Sequence, residues 1–273
     1  MKAAQPAHFH TVTDAPETAP WLTLLHGATQ HSGLFSAQIA FLRDRYRLLL
    51  VDLPGHGRSA GIAGPYGQVE YAAHVSAAMD AAGVRRTHLW GTHTGAAVGL
   101  LLAHGQPGRI SSLILDGAVL PGAAMPYTTF AINRARATAK SRGMAAARDE
   151  WFNACDWFDV IRTRPVECRA VEHRQLIEAF PGGPWLDESA PAPVPTLEPL
   201  LPSMTVPVLL VSGEHDVPEF LATAQTLRSA MPRAEQIVIP GGGGFPLWEF
   251  PAAVNAPVEA FLGRVSAPHR GMT

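Results

Sequence analysis

Short, nearly unbroken apolar runs recur along the chain at residues 21–25, 46–53, 86–90, 110–115, 206–211 and 236–239, each of strand length. Runs without polar alternation predict parallel strands buried on both faces. Between them the apolar positions change to helical spacing, as in Phe35, Ile39 and Leu42, which predicts helices over 35–45, 69–82, 94–104, 218–230 and 252–262. A weak alternation at 8–13 predicts one short leading strand. Gly83, the pair Gly105 and Pro107, and a Gly/Pro-dense turn over 52–59 punctuate these units.

The rhythm breaks once. From 121 to about 202 the strands disappear, with 127–180 reading as mostly helical and 181–202 as a proline-rich linker. Strands alternating with helices on both sides of that gap predict an α/β fold with a doubly wound, mostly parallel sheet. In this reading residues 1–120 and 203–273 form the core and 121–202 an inserted helical cap. Ligands of such sheets bind beyond the carboxyl ends of the strands.

Composition narrows the partners. The 273 residues, 47% of them apolar, suffice for one large buried core. A net charge of −2 leaves no basic field to gather phosphate backbones or anionic lipid, so a small molecule is expected rather than nucleic acid or membrane; a homo-oligomer stays open. Cys155 and Cys168 read as reduced thiols rather than a disulfide framework. Residues 1–20 hold no apolar stretch of signal-peptide length, and no run approaches the ~20 apolar residues of a membrane helix, which predicts a cytoplasmic protein.

Candidate chemistry gathers at the predicted strand ends. The stretch Leu89-Trp90-Gly91-Thr92-His93-Thr94-Gly95-Ala96-Ala97-Val98 reads as strand, sharp turn and helix, with glycines four apart around His93. Four further pieces stand in order around it: His26-Gly27, the turn from Asp52 through Pro54-Gly55-His56-Gly57 to Ser59, Gly213-Glu214-His215-Asp216, and Gly243-Gly244-Phe245-Pro246 ahead of Glu249. Together they resemble the α/β-hydrolase superfamily over nearly the whole chain apart from the cap, and the central stretch is similar to its G-x-S-x-G nucleophile elbow. The resemblance implies that the amides of Ala28 and Thr94 form an oxyanion hole and that Asp216 is the triad acid. Two positions depart from the pattern: His93 stands where the nucleophilic Ser belongs, and Gly244 where the general-base His belongs. The one histidine beyond His215 is His269, in a polar tail with no reason to reach the site. An acyl-enzyme route needs an alcohol activated by an imidazole, so the serine-hydrolase mechanism is not expected.

An imidazole at the elbow instead faces the pocket from the start of a helix, whose dipole favours its neutral, basic form. Asp216 is expected to hold the ring, because His reaches further than Ser and Gly244 vacates the volume of a second imidazole; Asp116 is the alternative partner. A base and oxyanion donors around one cavity imply cofactor-independent chemistry on a small carbonyl compound: ester or lactone hydrolysis by activated water, or lyase and C–C cleavage steps through an enolate. Two other readings stay open, a binding or sensing protein without turnover and an esterase with a relocated nucleophile, for which Ser32 is the first suspect. His26 and His56 read as structural, Asp52 as a brace of its turn, and His31 as a candidate to face the pocket alongside Phe245. A metal site from His26, His31 and His93 lacks compact ligand spacing, and no metal is predicted. Trp151, Phe152, Trp157, Phe158 and Trp185 read as core with some of them lining a pocket, and Glu172-His173-Arg174 as a solvated helix face.

Overall fold

The computed structural model describes residues 9–12 and 14–266. Among the described residues, seven strands form one sheet: β1 (Phe9–Val12), β2 (Trp21–Leu25), β3 (Arg47–Val51), β4 (Thr87–Thr92), β5 (Ile110–Asp116), β6 (Val208–Gly213) and β7 (Ala234–Ile239). Their order is β1-β3-β2-β4-β5-β6-β7. Only β1 runs antiparallel, its Phe9 opposite Val51 of β3; all other pairings are parallel.

The apolar runs are continuous because successive side chains enter two different cores. Leu22 and Leu24 of β2, Trp90 of β4 and Ile114 of β5 join one apolar cluster with Leu42 of α1 (Ser36–Leu42), while Leu25, Leu89 and Leu113 join a second. The second cluster holds Val75 of α2 (Gln68–Ala81) and Val98 of α3 (Thr94–Gly105). The helix expected over 35–45 is shorter than its pattern suggested. A 3-10 turn, Ser32–Phe35, precedes it, capped by His31, whose Nδ1 accepts from the Gly33 amide.

Between β5 and β6 the chain forms five helices, α4 (Pro126–Arg142), α5 (Met144–Ala154), α6 (Asp159–Thr163), α7 (Ala170–Glu178) and α8 (Gly183–Leu186). Trp151 of α5, and Trp157 and Phe158 in the 3-10 turn between α5 and α6, belong to the first cluster, so the insertion shares one core with the sheet. After β6 come α9 (Pro218–Ala230), then α10 (Pro246–Glu249) and α11 (Pro251–Ser266) beyond β7. Among the described residues no helix is long and apolar enough to cross a membrane, and both cysteines are buried and free. His269 lies outside the described residues.

Candidate active site

The elbow is built by close backbone approach. A Cβ on Gly91 would lie 2.3 Å from the backbone of Gly95, and one on Gly95 would lie 2.2 Å from the Leu25 carbonyl oxygen, so neither position admits a side chain. Between them His93 adopts φ 48° and ψ −108°, a left-handed conformation costly for any residue but Gly. Its own amide donates to the Asp116 carbonyl at 3.0 Å, which fastens the turn to the end of β5. Strain held by surrounding structure at a turn is a common property of functional positions.

The imidazole of His93 is wedged between two glycines and two phenylalanines. The space beside Gly27 faces its Nδ1 edge, and a Cβ on Gly117 would meet its Nε2 at 2.5 Å. The rings of Phe220 and Phe245 lie 4.8 and 4.7 Å away, centroid to centroid. Nδ1 hydrogen-bonds to the Thr92 hydroxyl at 3.1 Å, and Nε2 is buried with no partner among the described residues. Burial pushes the pKa of the ring down to about 3, so it is neutral at physiological pH.

Neither expected carboxylate holds that ring. Asp216 is buried, and its Oδ1 accepts from the Val217 amide rather than from His93. Both carboxyl oxygens of Asp116 lack a hydrogen bond of normal geometry, although the Leu247 amide faces the group. The expected His93–Asp216 contact and its Asp116 alternative are therefore both absent, and Thr92 takes the orienting position. The acids instead form a buried cluster with Glu249. Burial, then the neighbouring Asp216 and Glu249, hold the Asp116 carboxyl well above the carboxylate range. Burial raises Asp216 as well, with the Val217 amide opposing and Glu249 adding. Glu249 is pushed up to about 7 by burial, against the opposing amides of Gly243 and Phe245, which donate to it at 2.6 and 3.2 Å.

Gly244 does not leave a hole. A Cβ there would lie 2.5 Å from Trp157 Cβ and 2.7 Å from its backbone oxygen, so the insertion fills the volume that the sequence reading assigned to a missing imidazole. Trp157, Trp151 and Phe158 line a cavity of about 110 Å³ together with Ala28, Gln68, His93, Thr94, Val119, Thr128, Ile132, Phe220 and Phe245. Phe152 and Trp185 are buried but outside that lining. No Ala28 or Thr94 amide hydrogen bond to a protein acceptor occurs among the described residues.

The remaining histidines sort by their partners. His26 Nδ1 hydrogen-bonds to the Gly27 carbonyl at 2.7 Å and its Nε2 accepts from the Leu53 amide at 2.9 Å, which fixes the loop after β2. Asp52 braces the facing turn by accepting from the Ser32 and Arg58 amides. His56 stacks on Phe180, 4.9 Å between centroids. His31 caps its 3-10 turn, and neither it nor Ser32 lines the cavity. No cluster of three or more His, Cys, Asp or Glu able to hold a metal occurs among the described residues.

Sequence reasoning missed His173. Far from lying on a solvated face, it is completely buried, accepts from the Gln30 side-chain amide at 3.0 Å, and packs on Phe245 at 4.9 Å. Gln30 belongs to the loop that carries Ala28, so this bond ties α7 to one wall of the site. The signal was present in the spacing: His173, Leu176 and Ile177 share one helical face, and all three are buried.

A family model of the alpha/beta hydrolase fold matches residues 20–251, and the chain belongs to that family. Among curated relatives, "Putative carbamate hydrolase RutD" of Caulobacter sp. (strain K31) is 28% identical over 95% of this chain and 97% of its own length. A pimeloyl-[acyl-carrier protein] methyl ester esterase of Nitrosomonas europaea is 24% identical over 89% of this chain and 94% of the relative. Among solved structures, the enol-lactonase from Burkholderia xenovorans LB400 superposes with a TM-score of 0.78 at 23% identity, covering 94% of this chain and 96% of its own. These relatives are hydrolases by name, and at this identity the solved structure shares the fold.

Proposed function

We propose that the chain is an enzyme of the α/β-hydrolase fold that acts, without a cofactor, on a small carbonyl compound, with His93 as general base and the Ala28 and Thr94 amides as oxyanion donors. The observation that carries this reading is the unpartnered, buried Nε2 of His93, held in a strained turn on the cavity that Ala28 and Thr94 also line. His56 and His173 also bury a ring nitrogen without a partner, so the weight falls on the positive φ of His93 and its place on the cavity, where a neutral imidazole is a proton acceptor without prior deprotonation.

In the hydrolytic version Nε2 takes a proton from water as the oxygen attacks the carbonyl carbon. The oxyanion rests on the two amides, and its collapse expels the alcohol, which recovers the proton from Nε2. In the lyase version Nε2 takes a proton α to the carbonyl, and the same amides hold the enolate. Either way the developing imidazolium lies over Gly117, next in sequence to Asp116. Its positive charge is matched by the oxyanion or enolate held on the two amides, so the charge pair forms only as the reaction proceeds.

The names of the relatives, which include hydrolases, an esterase and a synthase, agree with this chemistry. A second reading, a ligand-binding member without turnover, is favoured by the missing carboxylate hydrogen bond on His93. The two separate in a turnover screen over small esters, lactones and β-keto acids run beside His93→Ala. The enzyme reading predicts activity that falls at least ~100-fold in the variant with binding retained; a variant as fast as the parent overturns it.

A further inference from the structure

The cavity carries more information than its volume. Among the described residues its lining contains no Asp, Glu, Lys or Arg, and much of its wall is aromatic, from Trp151 and Trp157 to Phe220 and Phe245. A charged ligand would surrender its hydration there without meeting a counter-ion, and a buried unpaired charge is strongly disfavoured.

Besides His93 Nε2, the indole nitrogen of Trp151 and Oε1 of Gln68, both on lining residues, are buried without a partner among the described residues. Trp151 is only 4% exposed. A buried indole N–H ordinarily finds an acceptor. This one cannot readily turn to seek another, because its ring is packed against Trp157 at 5.0 Å and Trp185 at 5.3 Å. His93 and Trp151 reach the cavity from different parts of the fold, the elbow after β4 and the inserted helix α5.

We infer that the ligand is a small neutral molecule with a compact apolar or aromatic body, a carbonyl placed at His93, and a second acceptor oxygen that receives the Trp151 indole N–H. Trp151 is then the specificity-determining residue of the site. This rests on the cavity being the ligand site, as proposed above, but not on turnover. It also sets this chain apart from a relative named as 2-succinyl-6-hydroxy-2,4-cyclohexadiene-1-carboxylate synthase, whose name specifies a carboxylate for which this lining has no counter-charge.

Three ketones that differ at the far end of one ring test the inference by calorimetry on the full chain: 4-methoxyacetophenone, 4-ethylacetophenone and 4-acetylbenzoate. The expected result is that the methoxy compound binds about fivefold tighter than its ethyl isostere, the worth of one neutral hydrogen bond, and that the benzoate binds far more weakly than either. Trp151→Phe should abolish the methoxy preference while both neutral ketones still bind. Should that variant fail to fold, the indole ¹H–¹⁵N resonance of Trp151 in the parent replaces it, shifting downfield with the methoxy compound and not with the ethyl one. Equal binding of the two neutral ketones, a preference that survives in Trp151→Phe, an unmoved indole resonance, or a benzoate that binds best would each overturn the inference. Failure of all three ketones to bind would overturn the cavity as the ligand site as well.

Discussion

Two histidines end neighbouring strands of this sheet, and they are bonded in opposite ways. His26 follows β2 and His93 interrupts the passage from β4 to α3; both are buried, and burial drives them to pKa values of about 4 and about 3. His26 uses both ring nitrogens to lock a loop, in ordinary backbone geometry. His93 uses one, leaves the other unpaired, and sits at positive φ. A neutral buried imidazole is thus not itself a sign of chemistry. Nor is an unpaired ring nitrogen, which His56 and His173 also bury; the sign is a free nitrogen in a strained turn on the cavity, which His93 alone of these histidines combines.

That contrast breaks if the two positions respond alike to substitution. His26→Ala should carry the largest cost, about 3–5 kcal/mol in a urea unfolding series, because it opens a core cavity and strands the Leu53 amide. Gly244→Ala should lose about 1–3 kcal/mol by the same measurement, since its Cβ meets both side chain and backbone of Trp157. For the same reason His93→Ser/Gly244→His should not restore a serine hydrolase while Trp157 is in place.

Asp116→Asn sharpens the comparison through pH. The native carboxyl is raised far above its unfolded value, so the native state binds the extra proton and its contribution is fully present in acid. It is lost as pH climbs from the unfolded carboxylate pKa toward the folded one. The Asn variant should therefore match the parent near pH 4 and exceed it by about 1–3 kcal/mol at pH 8. The smallest effect belongs to His93→Gly, where relief of positive-φ strain offsets the lost packing on Phe220 and Phe245, leaving stability within about 1 kcal/mol of the parent. A loss there as large as that of His26→Ala would make His93 structural.

The sheet was legible because burial on both faces writes itself into nearly unbroken apolar runs such as Leu22–Leu25, with Thr23 inside it, and Leu48–Val51, a local signal with little competition. The elbow was legible for a similar reason, since Gly91 and Gly95 mark backbone contacts that only glycine permits. What did not show was everything set by contact between the insertion and the core. Trp157 filling the space over Gly244, and His173 reaching Gln30, join residues more than eighty positions apart. Glu249 served the sequence reading only as a marker, and its place beside Asp116 and Asp216 depends on the end of β5, the turn after β6 and α10 meeting in space. Charge neighbours also misled: Glu172 and Arg174 made His173 look solvated although its helical face is apolar.

The claim on which the rest depends is that the free Nε2 of His93 faces the ligand beside its carbonyl group, whose oxygen the Ala28 and Thr94 amides receive. It is tested most directly by ¹⁵N spectra of the histidine-labelled protein, assigned with His93→Ala and recorded from pH 5 to 8 with and without 4-methoxyacetophenone. With a native pKa of about 3, the His93 signals should stay those of a neutral ring down to pH 5, and its Nε2 resonance should move on saturation with the ketone while those of His26 do not. A His93 resonance that titrates near pH 6.5, or that is unmoved by bound ketone, would contradict the account.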